Sequence, residues 1–314
     1  MESSEGTRAF CKALDFTAAF RDEDPARALG PLTEAYNFER DLLAKCRDRR
    51  MDRVVRVVDS GSITIDAINP FSVVQFLIFE LADGDIRKTM KFGSDLDKSV
   101  ALRSLHHVSN GLRQLHGAHV AHQDLKPSNV MTFSDKGAKI GDLGRATDRG
   151  RPMPHDDGFV AGAREYAPPE LLFRDAASDW GTRRRACDLY LLGSLVVFMF
   201  TGVSMTARIM VELPDEMRPA ELGGPFAGAY SEVLPHVRSA YAKAMEEFEA
   251  SVPEDLREEL GVVVRQLCDP DPQYRGDPSN RVGFRDRYAL DQFVSRFNRL
   301  ASVAEAGMIR RAGR

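Results

Sequence analysis

The chain has 314 residues, of which 43% are hydrophobic and 29% are charged, and its formal net charge is -4. This length exceeds that of a usual single domain and suits two lobes around a cleft, with enough apolar residues for sizeable cores. The acidic balance argues against a general binder of nucleic acid or of anionic membranes.

Three features of the sequence bear on its location and source. The four cysteines are scattered without the spacing of a metal site, which favours reduced thiols in a cytoplasmic protein. The first residues lack the pattern of a signal peptide, and the longest apolar run, 189–203, spans about fifteen residues, too few to cross a bilayer. An Arg- and Ala-rich, Lys-poor composition indicates a high-GC bacterial source.

The start of the chain is predicted to form strands around one helix. A short apolar run over 7–14 carries Lys12 and predicts a strand, although such a lysine is also common on an exposed edge. A helix is predicted over 24–46, with an interruption at Gly30-Pro31. Further strands are predicted over 54–58, 63–67 and 73–79.

Helices dominate the rest of the chain. An apolar stripe predicts a helix over 95–115 that packs beneath the loop that follows it, and the apolar run 189–203 predicts a buried helix. A long surface helix is predicted over 230–250, whose apolar face either packs on its own domain or binds a partner. The segment 288–304 predicts a final core helix.

The loop 122–129, which reads HQDLKPSN, places an acid, a base and an amide at fixed offsets. Asp124 and Asn129 are five residues apart with Lys126 between them, and Asp142-Leu143-Gly144 begins thirteen residues after Asn129. Phosphoryl transfer needs a carboxylate that orients the acceptor hydroxyl, oxygen ligands for Mg²⁺ and cations near the phosphates. Mg²⁺ prefers hard oxygen donors and borrows ligands from a nucleotide, so one carboxylate and one amide oxygen suffice.

These two loops resemble the catalytic loop H-R-D-L-K-P-x-N and the metal loop D-F-G of the eukaryotic-type protein kinases. The resemblance implies an α+β, two-lobed fold, with a small, mostly-β N-lobe and hinge over 1–82 and a large, mostly-α C-lobe over 83–304. The family pattern fades over 203–261, which we interpret as a helical insertion, and 305–314 is expected to be a solvated basic tail. The resemblance also implies ATP and Mg²⁺ as cofactors.

The resemblance assigns roles to the residues of both loops. Asp124 and Lys126 would act in catalysis, and Asn129 and Asp142 would hold Mg²⁺. Three further residues would be structural, namely His122 in the catalytic loop, Asp188 beneath that loop and Glu170. Glu170 ends a stretch, Tyr166-Ala167-Pro168-Pro169-Glu170, that is similar to the family's A-P-E, and it would pair with Arg275.

The ATP contacts implied by the resemblance lie in the small lobe and the hinge. Lys12 would match the lysine of V-A-I-K and pair with an acid on the next helix. Glu39 is the first candidate because Leu43, one turn on, would stack into the core; Asp41 is the alternative, since residues two apart point to opposite faces. The other implied contacts are Phe79 as gatekeeper, the backbones of Glu80 and Ala82, Asp85 at the ribose, and Val130 and Met131 at the floor.

Four departures from the family pattern are visible. Only eleven residues precede Lys12, too few for two strands and a G-x-G-x-x-G loop, so the start is truncated or the lid is absent. Phe10 stands where a small alanine roofs the adenine, so its phenyl ring is expected to crowd or fill the adenine slot. Gln123 replaces the arginine that receives an activating phosphate, and Ala163 replaces a threonine that contacts the catalytic aspartate and lysine.

These observations lead to one interpretation and two alternatives. The resemblance implies a protein serine/threonine kinase, with Lys126 favouring a serine or threonine acceptor. Because Thr147 is the only hydroxyl residue between Asp142 and Tyr166, we predict no phosphorylation switch in that segment. The alternatives are a pseudokinase that serves as a scaffold, and a small-molecule kinase of the aminoglycoside-phosphotransferase type, which typically lacks D-L-K-P and A-P-E. The protein substrate and the oligomeric state stay open.

Overall fold

The computed structural model of the chain describes residues 6, 8–14, 16, 19, 21–64, 73–93, 96–282 and 285–312. It has the predicted two-lobed architecture, with a small lobe built on an antiparallel sheet and a larger helical lobe. Parts of three predicted elements, residues 7, 65–67 and 95, lie outside the described residues.

The small lobe consists of a three-stranded antiparallel sheet and one long helix. The sheet has the order β1-β3-β2, and β3 lies in its centre because its valine, isoleucine and phenylalanine side chains suit a strand that is paired on both edges. These elements are β1 (Ala9–Ala13), α1 (Pro25–Asp48), β2 (Val57–Thr64) and β3 (Val73–Glu80).

The prediction of separate strands over 54–58 and 63–67 was wrong. One strand, β2, runs from Val57 to Thr64, and its polar middle is tolerated because this edge strand is largely exposed. Val55 instead donates to Ile140 O at 2.8 Å, so the residues before β2 bond to the large lobe. This short connection fixes the small lobe over the predicted catalytic loop.

The interruption predicted at Gly30-Pro31 is also absent. Asp24 caps α1 by accepting from Arg27 N at 3.1 Å, and the helix continues through Pro31 to Asp48. Pro31 lacks only one N–H, and the later turns bury a face that includes Phe38, which offsets the local cost. The uninterrupted helix carries Glu39 to the inside of the lobe.

The large lobe is built around α5, whose residues are nearly all buried. Its other helices are α2 (Ile86–Thr89), α3 (Lys98–His116), α4 (Pro169–Leu172), α6 (Met205–Glu212), α7 (Tyr230–Ser251), α8 (Glu254–Leu267) and α9 (Asp291–Ala312), and α5 itself spans Ala186–Thr201. Its short strands are β4 (Gly84–Asp85), β5 (Val120–Ala121), β6 (Val130–Phe133), β7 (Gly137–Ile140) and β8 (Thr147–Asp148).

The structure decides between the two alternatives for the helix predicted over 230–250, and it extends the predicted final helix. The apolar face of α7 packs on its own lobe, with Val233, Val237 and Phe248 fully buried. Helix α9 continues beyond residue 304 to Ala312, so the predicted boundary of the basic tail falls inside a helix.

No single helix among the described residues is long and apolar enough to cross a bilayer. A pair of helical segments, Gly181–Thr201 and Met205–Glu212, passes the same test of length and composition only when taken together, and the two are bent by 85°.

Two apolar cores meet at the predicted site. The larger one fills the helical lobe, and the smaller one joins Leu42 and Leu77 of the small lobe to Leu143 and Met153, which follow the metal loop. The predicted catalytic and metal loops therefore lie at the seam between the two cores.

Candidate active site

The catalytic loop is held from below by Asp188, a fully buried residue in the first turn of α5. Its carboxylate accepts hydrogen bonds from the backbone N–H groups of His122 and Gln123, both at 2.8 Å, and from Gln123 Nε2 at 3.0 Å. His116 Nε2 donates a fourth bond at 2.8 Å. Burial alone would raise the pKa of Asp188, but the His116 hydrogen bond and the other donors hold it below its ordinary value.

His122 joins the catalytic loop to the metal loop. Its Nδ1 accepts from Asp124 N at 3.2 Å, so Nε2 carries the proton and donates to Gly141 O at 3.0 Å. The ring is fully buried. It therefore fixes the spacing between Asp124 and the neighbouring Asp142.

Asp124 lies at the centre of the site and is almost fully buried. One carboxylate oxygen, Oδ2, lies 2.9 Å from Lys126 Nζ and accepts from Asn129 Nδ2 at 3.1 Å. The other, Oδ1, accepts from the backbone N–H of Ala163 at 2.8 Å. Ala163 has no hydroxyl to make the family's threonine contact, and its hydrogen bond to this aspartate comes from the main chain instead.

Gly162 explains why the chain can come so close to Asp124. A Cβ atom at this position would lie 2.4 Å from Gln123 O and 2.6 Å from Asp124 Oδ1, closer than real Cβ atoms approach. Only glycine fits here, so the segment that follows the metal loop packs directly on the catalytic loop.

Asn129 and Asp142 fit a Mg²⁺ site completed by a nucleotide. Asn129 Nδ2 donates to Asp124 O at 2.8 Å, which commits its nitrogen and leaves its amide oxygen for a ligand role. Asp142 is exposed in the same cleft, and the described residues include no group of three or more His, Cys, Asp or Glu side chains that could hold a metal alone. One carboxylate and one amide oxygen suit an ion that takes further ligands from phosphates and water.

Lys12 forms the ion pair that the resemblance predicted. Its Nζ donates to Glu39 Oε1 at 2.8 Å and to Oε2 at 3.0 Å, and also to Asp142 Oδ1 at 3.3 Å. Burial would lower the pKa of Lys12, but the two carboxylates raise it, so the side chain is a cation. The alternative partner, Asp41, pairs with Arg40 and Arg151 instead.

The cleft above these residues has a volume of about 510 Å³. Its lining includes Phe10, Lys12, the consecutive hinge residues 79–85, Asn129, Met131 and Asp142. Phe10 is 55% exposed, and its ring lies 6.4 Å from that of Phe79, centroid to centroid. The predicted crowding therefore does not close the cleft, whose volume is in the range of pockets for small ligands.

Two hinge carboxylates are engaged by neighbouring cations. Glu80 accepts from Lys139 at 2.5 Å, from Lys136 at 3.1 Å and from Arg56 N at 2.9 Å. Asp85 caps α2 and accepts from Arg87 Nε and Nη2, both at 2.9 Å. The Arg87 hydrogen bond lowers the pKa of Asp85, because the guanidinium group stabilises the ionised carboxylate. A ribose hydroxyl that contacts Asp85, as predicted, would share the carboxylate with Arg87.

Arg275 and Glu170 form a buried pair at the far end of the segment. Nη1 and Nη2 of Arg275 donate to Oε1 and Oε2 of Glu170, each at 2.6 Å. Arg275 is fully buried, lies over the Tyr190 ring at 4.9 Å and donates to Asp269 O at 2.8 Å. The pair joins the end of the segment 142–170 to the core of the large lobe.

Sequence reasoning missed the cations that hold the middle of the segment 142–170. Arg184, just before α5, is buried and donates to Asp156 O at 2.6 Å and to Gln123 Oε1 at 3.3 Å. Arg183 donates to the carbonyls of Asp156 and Gly158 at 2.8 and 3.0 Å. Arg184 thus connects the segment 142–170 to Gln123, which stands where the family has its catalytic-loop arginine. The triple arginine at 183–185 was the only sequence signal.

The other side of the segment is fastened to α1. Lys45 donates to Asp148 at 2.7 Å, and Arg151 donates to Asp41 at 2.8 Å while lying 5.5 Å from the centre of the Phe38 ring. These contacts hold α1 in the position at which Glu39 meets Lys12. No motif marks them in the sequence.

The comparisons with known proteins agree with this geometry. A family model described as a protein kinase domain matches residues 32–280. Mitogen-activated protein kinase 17 of Arabidopsis thaliana is 30% identical over 56% of this chain and 36% of its own length. Cyclin-dependent kinase-like 2 of Mus musculus is 28% identical over 71% of the chain and 39% of its own length. A probable cell division protein kinase of Encephalitozoon cuniculi is 28% identical over 74% and 69%.

The chain spans between 36% and 51% of the length of the first three curated relatives that it matches. The matched region contains Glu39, both loops and the Glu170–Arg275 pair, whereas Lys12 lies before it. The predicted bacterial source stays a prediction.

Proposed function

The chain belongs to the protein kinase family, and on this basis we propose that it is a serine/threonine kinase that uses ATP and Mg²⁺ to phosphorylate a protein hydroxyl. The observation that carries the proposal is a single cleft lined by the Lys12–Glu39 pair, Asn129 and Asp142. Asn129 donates to Asp124 at 3.1 Å, and Lys126 Nζ lies 2.9 Å from the same carboxylate oxygen, so these two side chains adjoin the cleft. These are the groups that phosphoryl transfer requires.

In this proposal each side chain has a distinct task. Asp124 orients the acceptor hydroxyl through its fixed carboxylate, which adjoins the cleft at Asn129, and Lys126 places a positive charge 2.9 Å from it. Lys12 meets the phosphates while Glu39 holds its amine in place. Asn129 and Asp142 would hold Mg²⁺, which when bound supplies positive charge next to the phosphate oxygens.

The proposal includes constitutive order in the segment 142–170. Thr147 is 1% exposed, so a modifying enzyme would not reach its hydroxyl without local unfolding. Arg183 and Arg184 already bind backbone carbonyls in this segment. Neutral Gln123 replaces the family's arginine that binds the activating phosphate, and it accepts from Arg184 instead. Activity then needs no phosphate within the segment.

Location and partners are further parts of the proposal. The scattered cysteines and the acidic net charge support a cytoplasmic protein that acts on protein substrates, without a nucleic-acid or membrane partner. Lys126 supports serine or threonine as the acceptor, by its match to the family motif.

A pseudokinase is the second candidate. Both carboxylate oxygens of Asp124 accept hydrogen bonds within the chain, and Phe10 replaces a small residue at the roof of the cleft. The buried Glu170–Arg275 pair, which the small-molecule kinases typically lack, favours both of these candidates over a small-molecule kinase.

Calorimetry with Mg·ATP separates the two candidates. We expect binding that requires Mg²⁺ and is lost in Asp142→Ala, followed by phosphoryl transfer that falls by about 10²–10⁴ in Asp124→Ala. Absence of nucleotide binding by the unmodified chain, or transfer that Asp124→Ala leaves unchanged, would reject the kinase proposal.

A further inference from the structure

A second cavity of about 510 Å³ lies on the other side of the wall that bounds the nucleotide cleft. It is enclosed by the end of α1, the residues that lead into β2, and β7. Leu43, Val54, Val55 and Glu80 line both cavities, so one layer of side chains separates them. We call this second cavity the basic groove, after the cations at its rim: Arg47, Arg50, Arg56, Lys136 and Lys139.

The floor of the basic groove is apolar. Cys46, Met51 and Val57 lie there with the three apolar residues of the shared wall, and all six belong to the smaller core. The volume is sufficient for one large apolar side chain with its flanking backbone. The floor therefore offers a socket for an apolar anchor.

The rim of the groove carries an excess of positive charge. Two carboxylates, Asp52 and Glu80, face the five cations, in a chain whose net charge is -4. Lys136 and Lys139 are engaged by Glu80. Within the part of the chain that the structure describes, the guanidinium groups of Arg50 and Arg56 have no hydrogen-bond or ion-pair partner.

The third rim arginine is only weakly engaged. Arg47 contacts its own neighbour Asp48, at 3.4 Å, and both side chains are more than half exposed. An exposed pair of this kind contributes little and is readily exchanged for another anion. Arg47, Arg50 and Arg56 are thus available to carboxylates from outside the chain.

We propose that the basic groove binds an acidic peptide segment of a partner protein, anchored by one large apolar side chain. The floor accepts the anchor, and carboxylates on both sides of it meet Arg47, Arg50 and Arg56. Charge complementarity selects this occupant, because a basic or neutral peptide would leave the arginines unpaired around an apolar socket. The binding does not depend on the proposed kinase activity.

The test uses a fluorescent peptide with one phenylalanine flanked on each side by glutamates, measured by anisotropy with the full chain. The groove variant Arg50→Glu/Arg56→Glu changes two exposed side chains, and Arg285→Glu/Arg287→Glu, at two exposed sites on the large lobe, is the control with the same change of charge. We expect the groove variant to bind the peptide at least about tenfold more weakly than the unmodified chain, and the control variant to bind it with unchanged affinity. Added salt should weaken binding of the peptide to the unmodified chain. Unaltered melting temperatures would show that the variants are folded.

Several results would overturn the proposal. The first is failure of the unmodified chain to bind the peptide. The second is equal affinity of the groove variant and the control variant, which would place the peptide elsewhere on the surface. Equal binding of a peptide with alanine in place of phenylalanine would reduce the groove to an anion site without a socket. Light scattering could show a molar mass that rises with protein concentration for the unmodified chain but not for the groove variant. That result would make a second copy of the chain the occupant. Each of these readings is obtained without ATP, so it is distinct from failure of the kinase proposal.

Discussion

The two sides of the candidate active site are built differently. Below the cleft, Asp188 and Arg275 are fully buried, and each of these two charges meets donors or acceptors from more than one element. Above it, β1 contributes a half-exposed Lys12 and a 55% exposed Phe10 from the edge of a three-stranded sheet. The catalytic side is thus fixed by the fold itself, whereas the nucleotide side depends on few contacts and on α1.

The largest effect is expected from breaking the buried ion pair on the catalytic side. Arg275→Met would leave Glu170 buried without its partner and should lower the free energy of unfolding by about 3–5 kcal/mol. Arg218→Met, which removes an exposed pair with Asp215, should cost less than about 1 kcal/mol. Urea denaturation of both variants measures the difference. Similar losses would contradict the contrast between buried and exposed charges.

A pH titration tests whether the large lobe needs a neutral histidine. His107 is buried, and its Nδ1 accepts from Ala138 N at 3.1 Å. Burial lowers the pKa of His107 to about 4. The folded pKa lies below the unfolded value, so the stabilisation is complete above about pH 6.5 and is lost as the pH falls towards about 4.

His107→Gln should remove that part of the pH dependence. Across this interval the unmodified chain should lose about 2–3 kcal/mol more than the variant. Thermal melts at several pH values give both curves. Parallel curves would show that His107 does not titrate as its surroundings require.

The close approach at Gly162 offers a third test of the catalytic side. Gly162→Ala should cost about 1–3 kcal/mol and lower phosphoryl transfer, because the added methyl group pushes the chain away from Asp124. Gly307→Ala is the matched control: nothing lies within 4 Å of its Cβ position in α9, and the helix should gain about 0.5–1 kcal/mol. Unchanged stability and unchanged phosphoryl transfer in Gly162→Ala would mean that Gly162 does not pack tightly on Asp124.

The smallest effect is expected at the roof of the cleft. Phe10→Ala removes a ring that is more than half exposed and should cost less than about 1 kcal/mol of stability. Leu192→Ala in α5 removes a fully buried side chain and should cost about 2–5 kcal/mol. Comparable losses in thermal melts would show that the two sides are equally well packed.

The sequence predicted contacts where a motif carried them. Lys12 and Glu39, or Glu170 and Arg275, meet across long stretches of chain because the family pattern that they resemble fixes both partners. Periodicity placed most helices, but it separated β2 into two strands, since a polar edge strand resembles a loop in composition.

The contacts that escaped prediction depend on tertiary position alone. His116 ends α3 and Arg184 precedes α5, and neither belongs to a pattern of spacing. Asp85 was correctly placed at the cleft, but its engagement by Arg87 requires knowing that α2 begins there. Ala163 was judged by its side chain, whereas the main chain makes the contact.

The two fastenings of the segment 142–170 differ in how they respond to ionic strength. Arg184 binds carbonyl oxygens in a buried setting, where dissolved ions hardly enter. Lys45–Asp148 and Arg151–Asp41 are partly exposed ion pairs, and at about 0.15 M salt charges are screened over about 8 Å. Added salt should therefore loosen the segment from α1 while leaving it attached beside the catalytic loop. The ion pair between Lys12 of β1 and Glu39 of α1 would then vary with the electrolyte around the protein.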